Sequence, residues 1–163
     1  MDHDLATTLS SNTNMETFTI QFSELNTELR EYVSAMGRHE RLHTLNFSNN
    51  FIGRAGCDAL SNLLKNPNSN LLTLKLYDNR LDDMCVATIA DALIINRKLQ
   101  RLDLDRNAQI TSDGLEVFKQ VLCDTSSINA PFLSNHSLNE IECDSKVPED
   151  LWDILQLNCG VED

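Results

Sequence analysis

Apolar residues recur through the middle of this chain at a fixed spacing, and the type of spacing changes within each recurrence. Three segments share the pattern apolar-x-x-apolar-x-apolar-x-x-Asn, and a weaker copy precedes them: Leu42–Asn50, Leu71–Asn79, Leu99–Asn107 and Met15–Ser23. The copies start 27, 29 and 28 residues apart (42−15, 71−42 and 99−71). Alternation of apolar and polar residues within each ladder predicts a short β-strand. Apolar residues at helical spacing follow each ladder and predict an amphipathic helix.

The repetition determines how these elements must pack. One strand and one helix cannot bury their apolar faces alone, so at least three copies have to stack. Each helix returns the chain to the same end of the sheet, which makes the strands parallel. Helices are wider than the strand spacing, so the stack should curve with its strands inside. The sequence therefore predicts an α/β fold, a right-handed solenoid forming a horseshoe segment, with a parallel sheet on the concave side and helices on the convex side.

Polar residues at fixed places in the repeat predict how its corners are held. Asn50, Asn79 and Asn107 close the three clear ladders. An asparagine amide both donates and accepts hydrogen bonds, so it can satisfy backbone groups of the turn that no strand reaches. We expect a stacked asparagine column. Gly53, Gly56 and Gly114 follow the ladders, where the permissive backbone of glycine is useful.

The two ends of the chain are less regular. A degraded fifth copy spans Ile128–Asn135, with Ala130 and Phe132 as its inward residues. Pro148–Leu157 has the pattern of a closing helix that begins near a proline and carries a polar outer face. The predicted organisation is a disordered N-terminal tail over residues 1–14, about five repeats over 15–137 with atypical first and last copies, and an acidic C-terminal cap over 138–163.

Composition narrows the range of partners. The 163 residues suffice for one domain, and the formal net charge is −12. Acidic residues concentrate at the two ends, whereas residues 41–137 carry ten acids and ten bases. No basic stripe is present, which disfavours binding to nucleic acid. The chain has neither a secretory signal nor an apolar stretch of membrane-spanning length, so we expect a cytoplasmic protein that does not contact membranes.

Repeats of 28–29 residues with a long helical half resemble leucine-rich repeat proteins of the ribonuclease-inhibitor-like subclass. The resemblance covers Met15 to about Asn135 and is strongest in the three central copies. This subclass occurs in ribonuclease inhibitors, in the sensor regions of nucleotide-binding immune receptors and in Ran GTPase-activating proteins. The resemblance implies a leucine-rich repeat solenoid that acts as an intracellular protein–protein interaction scaffold.

The alternation within the strands predicts which side chains a partner would meet. Polar residues of the ladders should face the concave side, and the adjacent strand–helix loops should extend that surface. Tyr and Arg dominate the energetics of protein interfaces, which favours Tyr77, Arg101 and Arg106 as anchors. The predicted partner-binding residues are Thr44, Asn46, Ser48, Thr73, Lys75, Tyr77, Arg101, Asp103, Asp105 and Arg106, and Asn129, Pro131 and Leu133 would complete the row.

Catalytic patterns are weaker than these binding patterns. His39–His43 matches HExxH, but zinc proteases need both histidines on one helical turn, and here a ladder begins at Leu42. The alternative function is GTPase activation resembling that of the Ran GTPase-activating proteins, with Arg54 or Arg80 presented from a strand–helix loop. We expect a non-enzymatic protein with no cofactor and no metal site, whose partner is another protein.

Overall fold

The computed structural model describes residues 9, 11, 12, 14–21, 29–37, 39–124, 133–144 and 147–159. These residues form a five-stranded parallel sheet whose strands follow one another in chain order. The strands are β1 (Thr17–Thr19), β2 (Thr44–Asn46), β3 (Thr73–Lys75), β4 (Arg101–Asp103) and β5 (Glu140–Glu142). The helices are α1 (Leu29–Met36), α2 (Arg54–Lys65), α3 (Asp83–Leu93), α4 (Ser112–Leu115), α5 (Val117–Leu122) and α6 (Glu149–Cys159).

The middle residue of every strand points into the core. The register aligns Phe18 with Leu45, Leu45 with Leu74, Leu74 with Leu102, and Leu102 with Ile141. Leu45, Leu74, Leu102 and Ile141 are buried, and Phe18 is half-buried at the edge strand. The predicted ladders are therefore strands that lie next to one another, as the apolar repetition required.

The helices cover the apolar face of the sheet. The predicted apolar stripes of α2 and α3 are entirely buried, as are the corresponding residues of α4 and α5: Ala59, Leu60, Leu63, Leu64, Val86, Ile89, Ala92, Leu93, Leu115, Phe118, Val121 and Leu122. Successive helices pack side by side, α1 against α2 and α2 against α3. One continuous core results, and the opposite face of the sheet is left without a covering layer of described residues.

The asparagine column is confirmed by its hydrogen bonds. The Asn79 amide donates to the carbonyl oxygens of Leu76 in its own unit and Phe47 in the preceding unit, each at 3.0 Å. Its Oδ1 accepts the backbone N–H of Ile52 at 3.0 Å. Asn107 repeats the arrangement one unit later, with its Oδ1 accepting the N–H of Leu81. Each amide thus joins two units through groups that no strand pairs.

A second set of asparagines, not predicted for this role, performs the same task at the helix C-termini. The Asn66 amide donates to the carbonyl of Gly37, that of Asn96 to Leu64, and that of Asn135 to Leu93. Unpaired carbonyls at the end of a helix need such donors. Asn135 was predicted to close a fifth ladder, and it instead caps the end of α3.

The predicted position of the fifth strand is wrong. The strand beside β4 is Glu140–Glu142, which lies within the segment predicted to be a cap. Its ladder is Leu138, Ile141 and Cys143, all buried. The predicted inward residues Ala130 and Phe132, and the surface positions Asn129 and Pro131, lie outside the described residues, while Leu133 is exposed and not in a strand. The connection from β4 is longer than the earlier ones because α4, α5 and a further segment intervene.

The prediction that glycines supply the unusual backbone angles is also wrong. None of the described glycines has positive φ. Left-handed backbone occurs instead at Asn49, Asp78 and Arg106, each three residues after its strand, and at Asp144, two residues after β5. Gly56 is needed for close packing: a Cβ there would lie 2.5 Å from Cγ2 of Ile52.

The structure tests the predictions for the two termini to different extents. The closing helix α6 is present, with Leu151 and Leu155 fully buried. The predicted disordered tail over residues 1–14 falls mostly outside the described residues. Among those that are described, Leu9 is buried in the core.

Candidate functional site

The open face of the sheet, opposite the helices, carries the outward residues of the five strands. Most of the predicted partner-binding residues lie on it or at its edge: Lys75, Arg101 and Arg106 are exposed, and Thr44, Asn46, Thr73, Tyr77, Asp103 and Asp105 are half-buried. Ser48 was also predicted for this surface, but it is 4% exposed. It sits where the chain turns inward toward Asn50, so its side chain is not available to a partner.

Charge changes along the open face from strand to strand. Threonines dominate β1 and β2, Lys75 and Arg101 lie near the middle, and acids dominate the β5 edge. Arg101 forms an ion pair with Glu140, with Nε and Oε2 2.9 Å apart. The sequence reasoning missed Glu140 and Glu142. The alternation of polar and apolar residues from Leu138 to Cys143 is the signal that could have located them.

Carboxylates crowd the β5 edge of the open face. One oxygen from each of Asp103, Asp105 and Glu142 lies within 4.8 Å of the others. Burial raises the pKa of Asp103, and the neighbouring Asp105 charge adds to the effect. Burial likewise raises the pKa of Glu142, followed by repulsion from Asp103. Oxygen ligands of this kind suit hard cations such as Ca²⁺. The crowding also means that any positive group reaching this edge is attracted to it.

Loops at the carboxyl ends of the strands extend the open face with aromatic and arginine side chains. The Arg80 guanidinium lies 4.2 Å from the Phe51 ring centroid, and that of Arg106 lies 5.3 Å from the Tyr77 ring centroid. Both are cation–π distances. Phe51 is 43% exposed, so one large aromatic surface remains available to solvent. The loop arginines and aromatics therefore form paired, positioned groups.

Arg54 is held by the residue that caps the next helix, α3. Its guanidinium contacts Oδ2 of Asp82 at 2.9 Å, and Asp82 caps α3 by accepting the backbone N–H of Cys85. Burial opposes ionisation of Asp82, but the hydrogen bonds from Cys85 and Arg54 prevail and lower the pKa of this carboxyl.

The HExxH residues do not have the geometry of a zinc protease. His39 and His43 both lie in the connection between α1, which ends at Met36, and β2, which begins at Thr44. His39 is buried, with no hydrogen-bond partner for either ring nitrogen among the described residues, whereas His43 is exposed. The two imidazoles are thus not displayed together on a helical turn.

Across the described residues, no helix combines the length and the apolar character that a membrane span requires.

Solved structures with this fold identify its architecture, although no protein-family model matches the chain. Leiomodin-1 Actin-Binding Site 2 superimposes with a TM-score of 0.79 and 16% identity, over 96% of this chain and 88% of that chain. The tropomodulin C-terminal domain of Caenorhabditis elegans superimposes with a TM-score of 0.76 and 14% identity, over 97% of this chain and 93% of that chain. Identities this low show the fold alone.

These matches correct the family inferred from the sequence. The resemblance to ribonuclease-inhibitor-like leucine-rich repeats is wrong, because the matching architecture is that of the leiomodin and tropomodulin domains. They do not support the GTPase-activating alternative built on that resemblance either. The predicted α/β fold is confirmed, with a five-stranded parallel sheet and helices on one of its faces. The predicted leucine-rich repeat solenoid is not shown.

Proposed function

We propose that this chain is a protein-binding domain whose partner is actin, and that it binds through the open face of its sheet and the adjoining loops. The observation that carries the proposal is the superposition on Leiomodin-1 Actin-Binding Site 2 over 96% of the chain. A protein partner also suits the exposed Lys75 and Arg101 and the positioned Tyr77 and Phe51 side chains. The net charge of −12 argues against a nucleic-acid partner.

The size of the open face determines how a partner must use it. Five strands of three residues cover about 24 by 10 Å, from the usual strand spacing and rise. Stable protein complexes cover roughly 800 Å² on each partner. Actin would therefore also contact the loops that carry Phe51, Arg80 and Arg106. In this proposal the domain is cytoplasmic and has no catalytic role. The absence of a catalytic role agrees with the contacts of Arg54 and Arg80, since both arginines are held by other residues of the chain.

Direct binding to actin tests the proposal. The wild-type chain is co-sedimented with actin filaments and titrated against fluorescently labelled actin monomers. We expect saturable binding to at least one form. Arg101→Glu should weaken it about tenfold, which corresponds to about 1.4 kcal/mol. Tyr77→Ala should weaken it by about 1–2 kcal/mol, in the range of interface anchors.

Matched variants on the helical side separate binding from folding. Lys65→Glu reverses an exposed charge at the end of α2, and Ile94→Ala truncates a side chain that is 53% exposed after α3. Both should bind actin as the wild type does. If the chain binds neither actin filaments nor actin monomers, the proposal is refuted. Equal weakening by the sheet variants and the helical controls refutes the assigned surface.

A further inference from the structure

A groove at the β5 edge of the open face joins acidic residues to the only tryptophan of the chain. It has a volume of about 670 Å³ and lies between the end of β5 and α6. Asp105, Glu142 and Asp144 line it together with Val147 and Trp152. We refer to this feature as the Trp152 groove. Its volume falls within the range of pockets that bind small molecules.

Trp152 is placed so that it can contact a partner without loss to the core. Its neighbour Leu151 and the later Leu155 anchor α6 and are fully buried, whereas Trp152 is 51% exposed. Tryptophan is among the residue types enriched at binding hot spots. An aromatic face also attracts cations, and Trp does so most strongly.

Among the described residues that line the groove, none has a cationic side chain. Asp144 accepts the backbone N–H of Arg106 at 2.7 Å, and Asp105 accepts the backbone N–H of Asp144. Arg106 itself extends over Tyr77, and Arg101 pairs with Glu140. Backbone donors do not neutralise these carboxylates, so the described part of the groove attracts a positive group.

We propose that the Trp152 groove binds an arginine or lysine side chain from a basic segment of the partner protein. This inference rests on the proposed function in one respect: it assumes that the partner is a protein. Charge complementarity selects a basic occupant, and the tryptophan selects an organic cation, since its face can hold a guanidinium or ammonium group. A hard metal ion would use the carboxylates alone and leave Trp152 and Val147 without a role. Within the chain, Arg80 on Phe51 already shows an arginine held on an aromatic ring.

Fluorescence of Trp152 provides a direct test, because no other tryptophan contributes. The intact chain is titrated at low salt with the peptide acetyl-(Arg-Gly)₄-amide, and separately with acetyl-(Glu-Gly)₄-amide. We expect a saturable spectral change with the arginine peptide and none with the acidic one. Raising NaCl to about 0.3 M should weaken binding at least fivefold, since exposed ion pairs are screened.

Two neutralising variants locate the binding. Glu142→Gln removes one charge from the groove and should weaken the peptide at least fivefold. Asp58→Asn removes one charge from the exposed side of α2 and should change its affinity less than twofold. Circular dichroism checks that both are folded. Trp152→Ala should weaken binding of the arginine peptide at least threefold, measured by calorimetry, because the ring contributes to the site.

Four results would each overturn this inference. The first is the absence of a response to the arginine peptide, and the second is an equal loss of peptide affinity in Glu142→Gln and Asp58→Asn. The others are a spectral change that depends on Glu142 and is produced by CaCl₂ alone, and self-association that depends on Glu142 and needs no peptide. A chain that binds actin but ignores the arginine peptide overturns this inference and leaves the proposed function intact. A chain that binds the peptide through the groove but does not bind actin supports this inference and refutes actin as the partner.

Discussion

Truncation of Asn79 to alanine tests the physical reason for the stacking of units. The Asn79 side chain makes hydrogen bonds in two directions: its amide donates to the carbonyls of Phe47, Leu76 and Tyr77, and its Oδ1 accepts the N–H of Ile52. The groups left behind are not equivalent. All three carbonyls keep another donor: Phe47 accepts from Asn50, Leu76 from Asn107, and Tyr77 from the Asn49 N–H. Only the Ile52 N–H is left without its acceptor.

The magnitude follows from this inventory. An unsatisfied donor in the core costs about 1–3 kcal/mol, and Ile52 is fully buried. The three lost bonds to carbonyls share the two amide hydrogens, and each carbonyl keeps another donor, so they cost less, about 0.5–1.5 kcal/mol per amide hydrogen. Such terms are not additive for neighbouring groups, so we expect Asn79→Ala to lower the free energy of unfolding by about 2–4 kcal/mol.

Urea unfolding followed by circular dichroism at 25 °C measures this change, with m-values compared to confirm that the same surface unfolds. Asn62→Ala is the matched control, since Asn62 is exposed on α2 and alanine suits a helix. The control should change the unfolding free energy by less than about 0.5 kcal/mol. A loss in Asn79→Ala no larger than in the control would refute the role assigned to the asparagine column.

Three further changes have expected outcomes. Leu74→Ala empties a fully buried core position and should lower the unfolding free energy by about 2–5 kcal/mol in the same urea experiment; an unchanged midpoint would contradict the core assignment. Arg106→Asn places a residue that tolerates left-handed backbone at φ 55°, and it removes the contact with Tyr77. The variant should have a higher thermal midpoint, because the free energy of unfolding rises by about 0.5–1 kcal/mol. A lower midpoint would show that the contact with Tyr77 dominates. Glu142→Gln should be more stable than the parent at pH 7. Because the pKa of Glu142 is raised in the folded state, that state binds the extra proton, and parental stability falls as pH rises from the ordinary value of 4.5 through the raised one. The advantage of the variant should therefore shrink between pH 7 and pH 4 in urea titrations, and an advantage independent of pH would contradict the electrostatic cause.

The central fold was predictable because its signal is repeated. Leu45, Leu74 and Leu102 occupy one position in three copies, and burial of that position in adjacent parallel strands follows from the repetition. Asn79 and Asn107 were predictable for the same reason. The fifth strand was misplaced because Ile141 lies 39 residues after Leu102, outside the 27–29-residue spacing. A fixed period cannot anticipate an insertion, whereas strand alternation alone would have found it.

The candidate site was predictable only in part. Alternation along the strands places Lys75 and Arg101 on the open face without further information. It cannot reveal that Ser48 turns inward, because that depends on the backbone angles that follow the strand. The approach of Glu142 and Trp152 to Asp105 was also beyond the sequence, since it depends on how α6 returns to the sheet. The inferred family was wrong because repeat length alone does not distinguish folds built from similar strand–helix units.

A photo-crosslinking experiment tests the proposed binding surface most directly. A benzoylphenylalanine is introduced at Lys75, which is exposed on the open face, and in a second protein at Asp91, which is exposed on α3 on the other side of the molecule. After irradiation with actin, position 75 should form a covalent adduct with actin and position 91 should not. An adduct from position 91 with none from position 75 would contradict the account.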